Sequence, residues 1–129
     1  MTNIPANLRY SSTHTWVETL EDESVRVGIT DYAQEEMGEV VFIELPESER
    51  SYTAGEECAV IESVKTAADI YCPVGGEIFE INHSLNDNPT LINLDPYGEG
   101  WLFQLTQENT VDIDELVDSE EYAERIEEE

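Results

Sequence analysis

Basic side chains are what this sequence has least of. Its 129 residues include five Lys and Arg against 31 Asp and Glu, a net charge of −26 with both histidines neutral. Average usage would place about 16 basic residues in a chain of this length. Nucleic-acid backbones are held by clustered Lys and Arg that displace counterions, so the deficit argues against nucleic-acid binding. It argues against adhesion to anionic membrane surfaces for the same reason. Long apolar runs are also missing: none is longer than Val40–Ile43, which is far short of a bilayer span. Met1–Ala6 has no basic stretch followed by an apolar one, so no export signal is expected. Cysteine is limited to Cys58 and Cys72, which make neither a disulfide scaffold nor a CxxC pair. His14 and His83 lack metal-ligand spacing, and the carboxylates show no EF-hand loop. The expectation is a reduced, cytoplasmic setting and no metal.

What remains is 40% hydrophobic, enough for the core of one domain, read as spanning 1–129. Val25-Arg26-Val27-Gly28-Ile29 alternates with period two, and Val40–Ile43 is short and rich in β-branched residues. Between them Asp31 and Gln34 have capping-box spacing and Gly38 is a natural stop, which predicts one short helix begun by Asp31. Pro and Gly punctuate the chain from Pro46 to Gly100, favouring an antiparallel sandwich or barrel with a β core of about 15–106. Gly38-Glu39-Val40-Val41-Phe42 resembles Gly76-Glu77-Ile78-Phe79-Glu80, an approximate repeat on either side of Lys65. From Asp112 onward, Ile113, Leu116 and Val117 form one apolar stripe and Tyr122, Ala123 and Ile126 a second, with Asp118 or Ser119 as a cap between them. One or two helices over about 112–128 are expected on the outside of the β core, with a frayed Glu127–Glu129 end.

The chain's single lysine sits between two period-two segments. Taking Lys65-Thr66 as a two-residue hairpin turn pairs Val64 with Ala67 and sets Glu62 opposite Asp69. One face then carries Ala59, Ile61, Ser63, Ala68, Ile70 and Cys72, mostly apolar and small. The register also puts Cys58 and Cys72 on opposite faces, as free, mostly buried thiols. A hairpin-tip lysine is ordinarily just a solvated turn residue. Here the chain avoids lysine everywhere else, which suits a protein whose one ε-amine must be modified without competition.

The segment Glu62-Ser63-Val64-Lys65-Thr66-Ala67-Ala68-Asp69-Ile70-Tyr71-Cys72-Pro73-Val74-Gly75-Gly76-Glu77 resembles the lipoyl attachment segment of the glycine cleavage system H proteins. The resemblance extends through Val27–Gln34, Val41–Pro46 and Asp95–Trp101 and covers nearly the whole chain. It implies a mainly β fold, a barrel-sandwich hybrid of the lipoyl/biotinyl hammerhead type, with a short internal helix and C-terminal helices. A biotinyl domain would carry Ala-Met-Lys-Met at the turn; Ser63-Val64-Lys65-Thr66 favours lipoate.

By this resemblance Lys65 carries covalent lipoate, while Glu62 and Gly76 match positions tied to recognition by lipoyl-attaching enzymes or to the hairpin fold. Asp69, Thr13 and Thr15 fall where family members dock the loaded arm; the family's His-Glu-Trp is His14-Thr15-Trp16 here, so one carboxylate is absent. The implied role is that of a non-catalytic carrier in glycine catabolism and one-carbon metabolism. The carrier takes an aminomethyl group from a PLP-dependent glycine decarboxylase (P protein) to a tetrahydrofolate-dependent aminomethyltransferase (T protein). It takes electrons to dihydrolipoamide dehydrogenase (L protein). The alternatives are a lipoyl relay or H-like protein serving other complexes, and an unmodified acidic interaction domain of the same fold.

Overall fold

The computed structural model describes residues 3–20, 24–107 and 111–128. Strands β1 (Arg9–Tyr10), β2 (Thr15–Thr19) and β3 (Val25–Ile29) lead into helix α1 (Asp31–Met37). Then come β4 (Val40–Glu44), β5 (Ser51–Tyr52), β6 (Glu57–Ser63), β7 (Ala67–Tyr71) and β8 (Gly76–Ile81). Two four-residue helices, α2 (Ser84–Asp87) and α3 (Leu91–Leu94), precede β9 (Phe103–Gln107), and α4 (Val111–Asp114) and α5 (Ser119–Glu128) follow it. The strands form a six-stranded sheet in the order β1-β2-β3-β9-β8-β5 and a three-stranded sheet in the order β4-β6-β7, antiparallel throughout. This is the mainly β architecture expected, reaching past the anticipated 15–106 to Arg9 and Gln107. Helices α2 and α3 lie where the sequence reading foresaw only turns.

Alternation explains the core. In β3, Val25, Val27 and Ile29 point inward, and Ile43, Ala59, Ile61, Ile70, Cys72, Ile78 and Leu105 join them from both sheets. A second apolar cluster lies outside the β core, where Leu8, Tyr10 and Trp16 meet Val117 and Tyr122 of the C-terminal segment. Tyr10 and Tyr122 stack there with ring centroids 4.7 Å apart. The first tail stripe therefore splits: Ile113 and Leu116 pack on the main core and Val117 on this second cluster. Burial of Tyr97 beside that cluster pushes its phenol up to about 12.

Two helix starts sharpen the sequence reading. Thr30, not Asp31, caps α1: its Oγ1 accepts from Ala33 N at 3.1 Å. Asp31 stands one residue inside, where its Oδ1 accepts from Gln34 Nε2 at 2.7 Å. Asp118 caps α5 by accepting from Glu121 N at 3.0 Å. That helix runs to Glu128, and Glu129 lies outside the described residues.

The approximate repeat has a structural counterpart. Its first copy enters β4 of the three-stranded sheet and its second enters β8 of the six-stranded sheet. The register of β4 slips between Val40 and Phe42, and that of β8 between Ile78 and Glu80. Each strand is bulged at the same repeat position, Val41 in one and Phe79 in the other.

Candidate functional site

Lys65 is exposed at the tip of the β6–β7 hairpin. The observed pairs are Glu62 with Ala67, Ile61 with Ala68, Val60 with Asp69 and Ala59 with Ile70. The turn residues are therefore Val64-Lys65, not Lys65-Thr66, and the expected Glu62–Asp69 pairing is corrected to Glu62–Ala67. The slip is two residues, an even number, so the side chains paired from Ala59–Ile70 to Glu62–Ala67 keep their expected faces. Ala59, Ile61 and Ile70 are buried as anticipated.

Ser63 explains why the turn forms one residue earlier. Two-residue hairpins prefer turns with left-handed residues, yet neither Val64 nor Lys65 has a positive φ. The Ser63 hydroxyl braces the turn instead, accepting from Lys65 N at 3.2 Å and Thr66 N at 3.1 Å and donating to Thr66 O at 3.2 Å. Ser63 N also donates to Thr66 O, at 2.7 Å, and Val64 N donates to Glu39 O at 2.9 Å, tying the tip to the start of β4. Reading Ser63 only as a small inward residue missed this role; a serine two positions before the lysine was the available signal. Gly38, expected as a helix stop and as the start of the first repeat copy, has a further role. A Cβ built on it would lie 3.1 Å from Lys65 Cε, so the lysine stem lies across this glycine. No local pattern could have linked the two.

The carboxylates are arranged differently from expectation. Asp69 stands across from Val60, and its close neighbour is Glu57, not Glu62. Repulsion by Asp69 is the main cause that raises the Glu57 carboxyl above its ordinary range, followed by desolvation and a hydrogen bond with Asp69. Glu62 is exposed beside Phe42 and Ala67.

Cys58 and Cys72 are free and buried, as expected, but not on opposite faces. A bulge between Glu57 and Ala59 turns Cys58 inward, where its Sγ donates to Ile70 O at 3.5 Å. Interaction with the Cys72 thiol, reinforced by burial, pushes the Cys58 thiol far above the usual range.

The remaining site residues are dispersed. Gly76 is buried in the other sheet, paired with Tyr52 and Gln107. A Cβ there would stand 1.6 Å from Thr106 O, so the glycine lets two strands meet. Thr15 is fully buried with its hydroxyl 2.6 Å from Ser11 Oγ, whereas Thr13 is exposed and lines a cavity of about 460 Å³ with Ser11, Tyr71, Cys72 and Asp112. Between them His14, left-handed at φ 65°, meets the Tyr122 hydroxyl through Nδ1 at 2.9 Å. That hydroxyl also meets Thr30 Oγ1 at 2.7 Å, joining α5, the 11–14 loop and the α1 cap. Among the described residues there is no cluster of His, Cys, Asp and Glu that could hold a metal.

Comparison with known proteins gives this arrangement a family. The model of the glycine cleavage H-protein family matches residues 8–129. The glycine cleavage system H protein of Shewanella oneidensis is 50% identical over 129 residues, covering 100% of both chains. That of Alkalilimnicola ehrlichii is 48% identical over 126 residues, 98% of this chain and 97% of the relative. Among solved structures, a glycine cleavage system H protein from Mycobacterium marinum superposes with a TM-score of 0.88 at 39% identity, covering 95% of this chain and 98% of that one. Its likeness in fold and in sequence agrees with the hairpin and two-sheet geometry. The chain belongs to the glycine cleavage H-protein family.

Proposed function

We propose that this chain is the lipoyl carrier of a glycine cleavage system and that Lys65 is its attachment residue. The observation that carries the reading is the chain's one lysine, exposed at the tip of a braced hairpin in an H-protein fold. The residues present fit the group: the amine is accessible, and Ser63 and the Val64–Glu39 bond hold the turn rigid behind it. Bound lipoate supplies a strained cyclic disulfide on a long flexible tether, so the reactive chemistry is the cofactor's and the protein contributes attachment and surfaces. The partners are glycine decarboxylase, aminomethyltransferase and dihydrolipoamide dehydrogenase, together with the enzymes that attach lipoate. Tethering raises effective concentration at each in turn.

Between encounters, the protein's part is to shelter the arm. Thr13, on the rim of the cavity, and Asp69, on the outer face of β7, are the side chains we assign to that docking. Thr15 serves indirectly, because its buried hydroxyl helps Ser11 hold the loop. By the resemblance of His14-Thr15-Trp16 to the family's His-Glu-Trp, this chain lacks a carboxylate at Thr15. No helix among the described residues is long and apolar enough to cross a membrane, and the cytoplasm is the compartment we assign.

Intact mass spectrometry after native expression tests the reading. One lipoyl group should be gained, localised to Lys65, and Lys65→Arg should gain none and support no glycine cleavage. Overall activity persisting in the arginine variant would overturn the assignment.

A further inference from the structure

The bulge in β4 leaves an apolar surface beside the lysine turn that the core does not use. Val41 is the inserted residue, so Val41 and Phe42 both face outward, 49% and 53% exposed. Val64, in the turn itself, is 64% exposed. These residues are neighbours: Val40 pairs with Ser63, Phe42 pairs with Glu62, and Val64 N donates to Glu39 O. Exposed Glu39, Glu44 and Glu62 border the patch, and Lys65 emerges beside it. The second repeat copy makes no such surface, because Glu80 stands where Phe42 does.

Which partner covers the patch follows from reach. Dihydrolipoamide dehydrogenase and the other enzymes of the cycle meet the far end of the lipoyl tether, well away from the backbone. An enzyme that acylates the lysine must bring its reaction centre to Nζ, only four methylenes from Cα, and so must rest on the residues flanking the turn. The unprotonated amine attacks the carbonyl of an activated lipoyl donor. The amide bond forms as the bond to the leaving group breaks, and the amine's surplus proton passes to a base. An apolar patch with a carboxylate border is complementary to an apolar recess edged with Lys and Arg.

We infer that Val41, Phe42 and Val64 form the docking patch for the enzyme that acylates Lys65, a partner presenting an apolar recess with a basic rim. The inference rests on Lys65 as the attachment residue.

Unlipoylated wild type, Phe42→Ser, Val64→Ser and the control Phe79→Ser are to be compared as substrates of a lipoate–protein ligase supplied with lipoate and ATP. Incorporation is followed by mass spectrometry, and thermal unfolding checks the fold of each variant. Phe42→Ser and Val64→Ser should each lower kcat/KM tenfold or more, mainly through KM, while Phe79→Ser changes it less than twofold. Once loaded by prolonged incubation, the same variants should be reduced by dihydrolipoamide dehydrogenase and NADH at the wild-type rate. Wild-type acylation of the folded patch variants overturns the inference. An equal loss in the dehydrogenase reaction also overturns it, by making the patch a general docking surface. If wild type itself gains no lipoyl group, the attachment reading fails.

Discussion

The segments Gly38–Phe42 and Gly76–Glu80 start from similar sequences and bulge at the same position, yet they do different work. In the second copy the glycine is a packing device, since Gly76 lies so close to Thr106 O that no side chain fits. In the first, Gly38 ends α1 at φ 80°, ψ −160° and carries the Lys65 stem. Beyond the bulge the second copy continues with Glu80 and the first with Phe42. Fully burying a large apolar side chain is worth about 1.5–3 kcal/mol, so leaving Phe42 half exposed forgoes a sizeable part of that stabilisation. One backbone device thus helps close a sheet in one place and lies beside an exposed lysine in the other.

Gly76→Ala should have the largest effect on this contrast. Its Cβ would overlap backbone, and a loss of about 3 kcal/mol or more, or failure to fold, is expected in urea unfolding. Near-wild-type stability would show that Thr106 can retreat and that the glycine is not needed for closure.

Gly38→Ala should cost less, about 1–3 kcal/mol for a side chain in a region of backbone space almost reserved for glycine. It should also displace the lysine stem, so acylation of the folded variant should slow as well. A variant that loses stability while keeping the wild-type acylation rate would separate the helix stop from the lysine support.

The smallest effect concerns the outer face of the lysine hairpin. Asp69 raises the Glu57 carboxyl, so the folded state holds that proton more tightly than the unfolded chain does. This contribution to stability is complete below the ordinary glutamate value of about 4.3 and is lost as pH rises through the raised folded value. Asp69→Asn should move the Glu57 titration toward the ordinary range, read by carboxyl NMR shifts, and flatten stability over that interval. An unmoved titration would show that Asp69 is not the cause.

Much of the candidate site was legible because it is local. Lys65 stands out by composition, its hairpin by alternation, and the helix stop at Gly38 by glycine chemistry. The inward face of the hairpin survived a wrong register because the error was two residues, the period of a strand. The misplaced features share a cause. Ser63 bonds to backbone inside the turn, Thr30 was passed over for a neighbouring capping box, and Cys58 was turned by a bulge. A bulge inserts one residue and reverses side-chain facing beyond it, and nothing in the alternation around Cys58 announced one.

By itself, then, the sequence determined a mainly β chain, an acidic surface and one lysine at a turn, because composition, period and turn chemistry are properties of neighbours along the chain. Only the tertiary structure decided that Gly38 carries the Lys65 stem, that Val41 and Phe42 both face water beside it, and that Gly76 serves the opposite sheet. Those outcomes depend on which strands meet and where a register slips, and both are settled by contacts between residues far apart in sequence.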